Sequence, residues 1–319
     1  MVVDRMHRTP RILGAGEKGI LQALPGGASQ ELRVGGVLLN QLGWAAALGL
    51  PVGIFGRQAE DEAGRFLRAA MDRLGIARQI VLDGSASSTA DIYIDDSGER
   101  AIYMAPGATA ETTPEQIRSR HAAWIRGAAR VSSEVSQLPL DSVAEVFRIA
   151  REAGVPTVLD LDIPPSDAVP GLGTQADLLQ VLQGAELLKP AKAAAREFVP
   201  EAGEDPLAVA LALRQRFGCG VVVVTDGAAG CAIAAEGTEL RIPAAAAKQV
   251  VDTTGAGDAF LGGLLFALAT GLDFEHAGRL ANACGAACVE RIGAFPEDPA
   301  AAVARVAELY DGPGLEVAR

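Results

Sequence analysis

Aromatic rings are scarce in this 319-residue chain, at 4% of residues with two Trp and three Tyr. That leaves few rings to sandwich a flat heterocycle. Positive charge is also short: 28 Lys and Arg face 40 Asp and Glu, for a formal charge of −12. This balance argues against nucleic acid or an anionic membrane as partner. An anionic ligand must then be captured by a local field. The four cysteines, at 219, 231, 284 and 288, form no C-x-x-C pair. Cys284 and Cys288 fall four apart on one helix face and read as packed thiols, so the expected compartment is cytoplasmic. No apolar run reaches the roughly 18–20 residues that span a bilayer. Met1-Val2-Val3-Asp4-Arg5 opens without the apolar region of a signal peptide.

Strand-like and helix-like stretches alternate along the chain. Apolar runs at Pro51–Phe55, Thr157–Leu161, Ala185–Leu188 and Val221–Thr225 read as strands. Helical patterns cover Gly64–Leu74, Leu140–Ala153, Pro206–Phe217, Gly255–Thr270 and Phe274–Val289. Such alternation predicts an α/β fold, with a mostly parallel sheet covered on both faces. Ligands on such sheets sit at the carboxyl ends of the strands. No repeat or long linker divides the chain, so a single domain over 1–319 is expected. Two segments break the rhythm. Residues 11–34 are glycine-rich around Leu24-Pro25-Gly26-Gly27. Residues 88–105 alternate polar and apolar on either side of Ser97-Gly98, the pattern of a β-hairpin with one half-buried face.

The richest stretch is Val250-Val251-Asp252-Thr253-Thr254-Gly255-Ala256-Gly257-Asp258-Ala259-Phe260, which runs straight into the apolar segment Leu261–Thr270. Three small residues ahead of a helix leave backbone N–H groups bare, and the helix dipole adds to them. The spot suits a phosphate. Asp258 puts a carboxylate within reach of that anion, which is costly for ground-state binding. It makes sense if the carboxylate takes a proton from an attacking hydroxyl.

This stretch resembles the D-T-x-G-A-G-D signature of the ribokinase-like (PfkB) carbohydrate kinases. The resemblance implies a ribokinase-like three-layer sandwich with a small β-sheet lid, drawn here from about 11–34 and 88–105. It implies Asp258 as catalytic base and the Gly255, Ala256 and Gly257 amides as anion hole. Gly35-Gly36-Val37-Leu38-Leu39-Asn40 is similar to the family's sugar-binding G-G-x-x-x-N, which gives Gly35, Gly36 and Asn40 as acceptor contacts. The family's first strand leads to a sugar-binding Asp. Val2-Val3-Asp4 looks like the end of that strand, with Asp4 as the carboxylate; an alternative register makes Arg11–Leu13 the strand. Thr225-Asp226-Gly227-Ala228-Ala229-Gly230 resembles the family's T-x-G-x-x-G, so Thr225, Gly227 and Gly230 are expected on the nucleotide with Lys189 and Asn282. Asp252, Thr254 and Gly293 resemble the loops that hold a monovalent cation, K⁺, in some members; Asp252 as a helix-dipole partner is the equal alternative. Gly53-Ile54-Phe55-Gly56 and Asp61-Glu62-Ala63-Gly64 read as structural.

There is one departure. Where the family carries P-N-x-x-E, this chain reads Pro190-Ala191-Lys192-Ala193-Ala194, so both polar positions are Ala. Either Mg²⁺ is held by phosphates and water, or Lys189 or Lys192 supplies charge. The resemblance implies an ATP- and Mg²⁺-dependent kinase acting on a hydroxymethyl group of a ketose, sugar acid or sulfo-sugar, and a homodimer through the lid. The rivals are a nucleoside kinase of the same fold and a weak sugar- or nucleotide-binding pseudokinase. Arg100, on the hairpin, is expected in solvent.

Overall fold

The computed structural model describes residues 1–23, 28–97, 99–161 and 163–315. Residues 24–27, the Gly98 half of the hairpin turn, and Asp162 lie outside the described residues.

Six strands form the main sheet: β7 (Val131–Glu134), β8 (Thr157–Leu161), β9 (Leu187–Pro190), β10 (Val221–Thr225), β11 (Cys231–Ala235) and β12 (Thr238–Ile242). Their order is β12-β11-β10-β9-β8-β7. Strands β7 to β10 pair in parallel, and β11 and β12 add antiparallel at one edge. Alternation along each strand sends side chains to opposite layers. Val222 and Val224 join Leu159 and Leu188 under the helices Leu140–Glu152, Gln175–Gly184 and Pro206–Phe217. Val223, Val158 and Leu187 face the helices Ala256–Ala269 and Phe274–Val289 on the other side. The three layers match the expected sandwich. Thr157–Leu161, Val221–Thr225, Pro206–Phe217 and Phe274–Val289 have the bounds expected from sequence. All four cysteines are buried free thiols, each pushed above its ordinary pKa by burial.

The second sheet is where expectation and structure part. Its order is β2-β1-β5-β6, built from β1 (Val2–Arg8), β2 (Glu31–Gly35), β5 (Thr89–Ile94) and β6 (Arg100–Ala105). The β5–β6 hairpin is as expected. The N-terminal segment is not the end of a main-sheet strand. It runs on to Arg8 between β2 and β5, which take up its backbone groups on both sides. Arg11–Leu13 forms no strand either, and Gln22 makes only an isolated bridge to Arg8. Pro10, which lacks an amide donor, stands two residues past β1, after the Thr9 amide has donated to the Ile94 carbonyl. The lid therefore draws on residues 2–8 and only the last part of 11–34. The Pro51–Phe55 run becomes β3 (Gly53–Arg57), paired in parallel with β4 (Ala77–Val81) in a separate two-stranded sheet. Asp61 caps the helix Glu62–Arg73 through the Gly64 amide, a structural role as read.

One helix contact sets the site. The Val37–Ala47 helix lies against Ala256–Ala269, and Gly262 is the point of closest approach. A Cβ there would sit 2.5 Å from the Gln41 carbonyl and 2.6 Å from the Trp44 Cβ. Gly262→Val should therefore force the helices apart at a cost of about 1–3 kcal/mol. A lowered urea midpoint checks this; an unchanged midpoint would refute the close packing.

Candidate active site

The parallel strands end along one edge of the main sheet, and polar side chains stand at or one residue before their ends: Glu134, Asp160, Lys189 and Thr225. The Ala256–Ala269 helix points its amino end at the same region, through Gly255 as N-cap. Gly255 has φ 74°, a left-handed conformation that disfavours a side chain, and a Cβ there would lie 2.1 Å from that of Ala294. The Ala256 amide donates to the Thr253 carbonyl at 3.3 Å. The Gly257 amide, next along, has no carbonyl four residues back within the helix.

Asp258 stands in the first turn of this helix and is 7% exposed. Asn40 donates its Nδ2 to Asp258 Oδ2 at 2.8 Å. The Asn40 Oδ1 is buried without a partner among the described residues, as expected of an atom waiting for a ligand hydroxyl. Asn40 is set by the Val37–Ala47 helix, which starts at Gly36. Gly35, one residue earlier, touches Asp4: a Cβ at Gly35 would sit 2.3 Å from the carboxylate oxygens. Burial raises the Asp4 carboxyl to about 7, although the Met1 amine works against that rise. The structure thus brings Asp4, Gly35, Gly36, Asn40, Asp258 and the Gly255–Gly257 turn into one continuous patch.

Thr225 ends β10, and Gly227 and Gly230 lie in the turn that follows, where the Asp226 amide donates to the Gly230 carbonyl at 2.8 Å. Lys192 reaches this loop and pairs with Asp226 at 2.8 Å. Beside it a cleft of about 530 Å³ opens, lined by Ile242, Pro243, Ala244, Arg279 and Tyr310 among others.

The nested motifs, the three-layer sandwich and this patch agree with a match over residues 18–301 to the pfkB family carbohydrate kinase model. The chain belongs to the PfkB carbohydrate kinase family. It is a sugar or nucleoside kinase, a phosphotransferase with an alcohol acceptor, of an ATP-dependent family. An uncharacterized sugar kinase of Archaeoglobus fulgidus is 31% identical over 77% of this chain and 94% of its own. The aminoimidazole riboside kinase of Salmonella typhimurium is 31% identical over 86% of this chain and 85% of its own. The structure of Arabidopsis thaliana ribokinase complexed with ribose and ATP superimposes with a TM-score of 0.79 at 24% identity, over 96% of both chains.

In this PfkB kinase the two remaining expected nucleotide residues, Lys189 and Asn282, hold protein partners. Lys189 is fully buried, with Nζ 3.0 Å from Asp160 Oδ1. The other Asp160 oxygen accepts from Gln41 Nε2 at 2.7 Å. This ties β8, β9 and the Val37–Ala47 helix together inside the fold, because a buried ammonium needs its carboxylate. Lys189 is thus a partner of Asp160 rather than an open nucleotide contact. Asn282 spends its Nδ2 on the Ile242 and Pro243 carbonyls, at 3.3 and 3.0 Å, so it braces the cleft's wall. Gln41 and Asp160 went unread as a pair, although Gln41 follows Asn40 and Asp160 is the penultimate residue of β8. Arg100 is exposed, as expected, and its guanidinium also reaches Asp252 and Thr254.

Asp4 gives a pH test. Its folded pKa lies above the ordinary carboxylate value, so burial disfavours the charged form. The penalty is absent below about pH 4, grows as pH rises, and is complete above about 7. Asp4→Asn should therefore gain stability relative to wild type between pH 4 and 7, by up to a few kcal/mol, and hold that gain above 7. Urea unfolding across that range measures it; a constant difference would exclude the raised pKa.

Proposed function

We propose that this kinase transfers the γ-phosphate of ATP to a hydroxymethyl group of a small sugar, with Asp258 as general base. The Asn40–Asp258 hydrogen bond carries the reading. It fixes a carboxylate at the mouth of an anion-binding helix end while leaving Asn40 Oδ1 for an acceptor hydroxyl. Asp258 would take the hydroxyl proton as that oxygen attacks in line. The Gly255, Ala256 and Gly257 turn would stabilise the charge developing on the transferred phosphoryl group. Asp4, Gly35, Gly36 and Asn40 would hold the sugar. Thr225, Gly227 and Gly230 would hold the phosphates or ribose, with the Ile242–Tyr310 cleft taking the base beside Asn282.

Mg²⁺ bound with ATP would neutralise charge on the phosphates. Among the described residues no cluster of three His, Cys, Asp or Glu offers itself to a metal, which is consistent with Mg²⁺ held by phosphates and water. Lys192, fixed by Asp226 beside the T-x-G-x-x-G loop, is the cation placed to replace the missing N-x-x-E.

The nucleoside kinase reading draws support from the aminoimidazole riboside kinase relative. The sheet register weighs against it. Asp4 shares its face with Arg33, Met6, Ala90, Ile92, Ile102 and Met104, whereas Tyr93 and Tyr103 point to the opposite face. No ring on the Asp4 face stands ready to stack a base among the described residues. Exposed Ile102, Tyr103 and Met104 on the edge strand β6 support a homodimer through the lid. No helix of the described residues is long and apolar enough to cross a membrane, and a cytoplasmic location remains part of this proposal.

ADP release from ATP and Mg²⁺ across ketoses, sugar acids, sulfo-sugars, polyols and nucleosides tests the reading. One sugar class should turn over. Asp258→Asn should fold normally and lose at least about a hundredfold in kcat. Full rate in Asp258→Asn, or turnover of nucleosides alone, would overturn it.

A further inference from the structure

The junction between the two sheets contains a charge arrangement that the expected K⁺ site does not accommodate. Asp252 lies six residues ahead of Asp258 and joins the loop before the anion hole to the loop after the Phe274–Val289 helix. Its Oδ1 accepts from the Thr254 amide at 2.9 Å, and its Oδ2 from the Gly293 amide at 3.1 Å. Both carboxylate oxygens are thus engaged by backbone. The remaining approach is taken by Arg100, whose Nη1 lies 3.5 Å from Asp252 Oδ1 and also donates to Thr254 Oγ1. Arg33, on the same face of the four-stranded sheet, lays its side chain against Gly293: a Cβ there would be 3.2 Å from the Arg33 Cδ.

Three backbone carbonyls of the two loops, those of Thr254, Val289 and Ala294, also accept from protein donors. The Ala294 carbonyl accepts from Trp44 Nε1 at 2.9 Å. The Cys288 thiol points at the Thr254 and Ala294 carbonyls, at 3.6 and 3.9 Å. The Val289 carbonyl accepts from the Val251 and Asp252 amides. Arg291 then covers the Trp44 ring, 4.7 Å from its centroid. A monovalent cation here needs the Asp252 carboxylate. A guanidinium already against that carboxylate repels a second positive charge at contact distance.

We propose that Arg100 is a positioning residue that supplies the fixed positive charge at Asp252, in place of a monovalent cation, and pins the Asp4-bearing sheet to the loop that precedes the anion hole. The inference rests on the kinase reading of that loop, and adds that its order is independent of K⁺. Asp252, held low by its amide partners and Arg100 against the opposing effect of burial, stays charged across the neutral range. A permanent cation from β6 then serves where a diffusible one would have to be bound. It also makes loop order a consequence of sheet closure. Arg100 touches neither Asp258 nor the Gly255–Gly257 turn in any contact described, so it acts through Asp252 and Thr254.

The test compares wild type, Arg100→Gln and Arg100→Lys in KCl and in choline chloride at matched ionic strength. It reads the melting temperature and, separately, kcat and KM with the best acceptor. Wild type should melt at the same temperature in both salts and change less than about twofold in kcat. Arg100→Gln should lose about tenfold in kcat in choline with little change in KM for the sugar. It should gain a K⁺-specific rise in Tm of about 2–4 °C, with K⁺ restoring part of kcat. Arg100→Lys should stay close to wild type in both salts. A K⁺-specific rise in wild type, or an Arg100→Gln protein that responds to K⁺ in neither Tm nor rate, would overturn the proposal. The melting arm needs no turnover. If no sugar is phosphorylated while the melting contrast appears, the sugar-acceptor reading falls and the role of Arg100 at Asp252 stands.

Discussion

The structure depends on keeping one buried carboxylate, Asp258, in the first turn of a helix whose amino end is proposed to bind an anion. A carboxylate beside a site for phosphate meets like-charge repulsion, and burial adds desolvation. Two features offset these. The amino end of the Ala256–Ala269 helix supplies positive potential, and Asn40 donates a hydrogen bond from a facing helix. The second requires the Val37–Ala47 and Ala256–Ala269 helices to touch. They do so across Gly262 and beside the fully buried Trp44. The packing of two apolar helices is therefore a condition of the chemistry, not a background to it.

The same logic extends outward in layers. The Val37–Ala47 helix is anchored below by Gln41, which donates to Asp160, while Asp160 in turn holds Lys189. Removing any one of the three would weaken a buried polar network, so the network favours a single arrangement of β8, β9 and this helix. Above, Asp4 lies against Gly35, and Arg100 bridges from β6 to Asp252. Asp4 and Arg100 thus belong to the four-stranded sheet, and Asp252 and Asp258 to the loop and helix that pack beside it. They meet through side chains that are polar or charged, in a chain whose net charge is −12. Local placement of a few cations, rather than the overall field, attracts the anion.

Much of this was legible in the chain. The Gly255-Ala256-Gly257-Asp258 run marked the helix end because small residues before an apolar segment have few other uses. Asn40 was legible from its spacing after Gly35-Gly36. The Val221–Thr225 strand was legible from four consecutive valines. Lys189 was misplaced because a lysine at a strand's carboxyl end reads as ligand-facing, and nothing nearby in sequence names Asp160 as its partner. Asn282 was expected beside the nucleotide from the family resemblance, while the Ile242 and Pro243 carbonyls that claim its amide lie about forty residues earlier. Arg100 read as solvated because its partners, Asp252 and Thr254, lie about 150 residues later.

By itself the sequence determined the local elements, the helix end with its carboxylate, and the family to which the chain belongs. These follow from short-range periodicity and from residues within one turn of each other. Only the tertiary structure decided that residues 2–8 belong to the second sheet, that Lys189 is buried against Asp160, and that Arg100 meets Asp252. The physical reason is common to all three. Strand partners and buried ion pairs are chosen by which surfaces meet and lose water, and that depends on the whole chain rather than on neighbours in sequence.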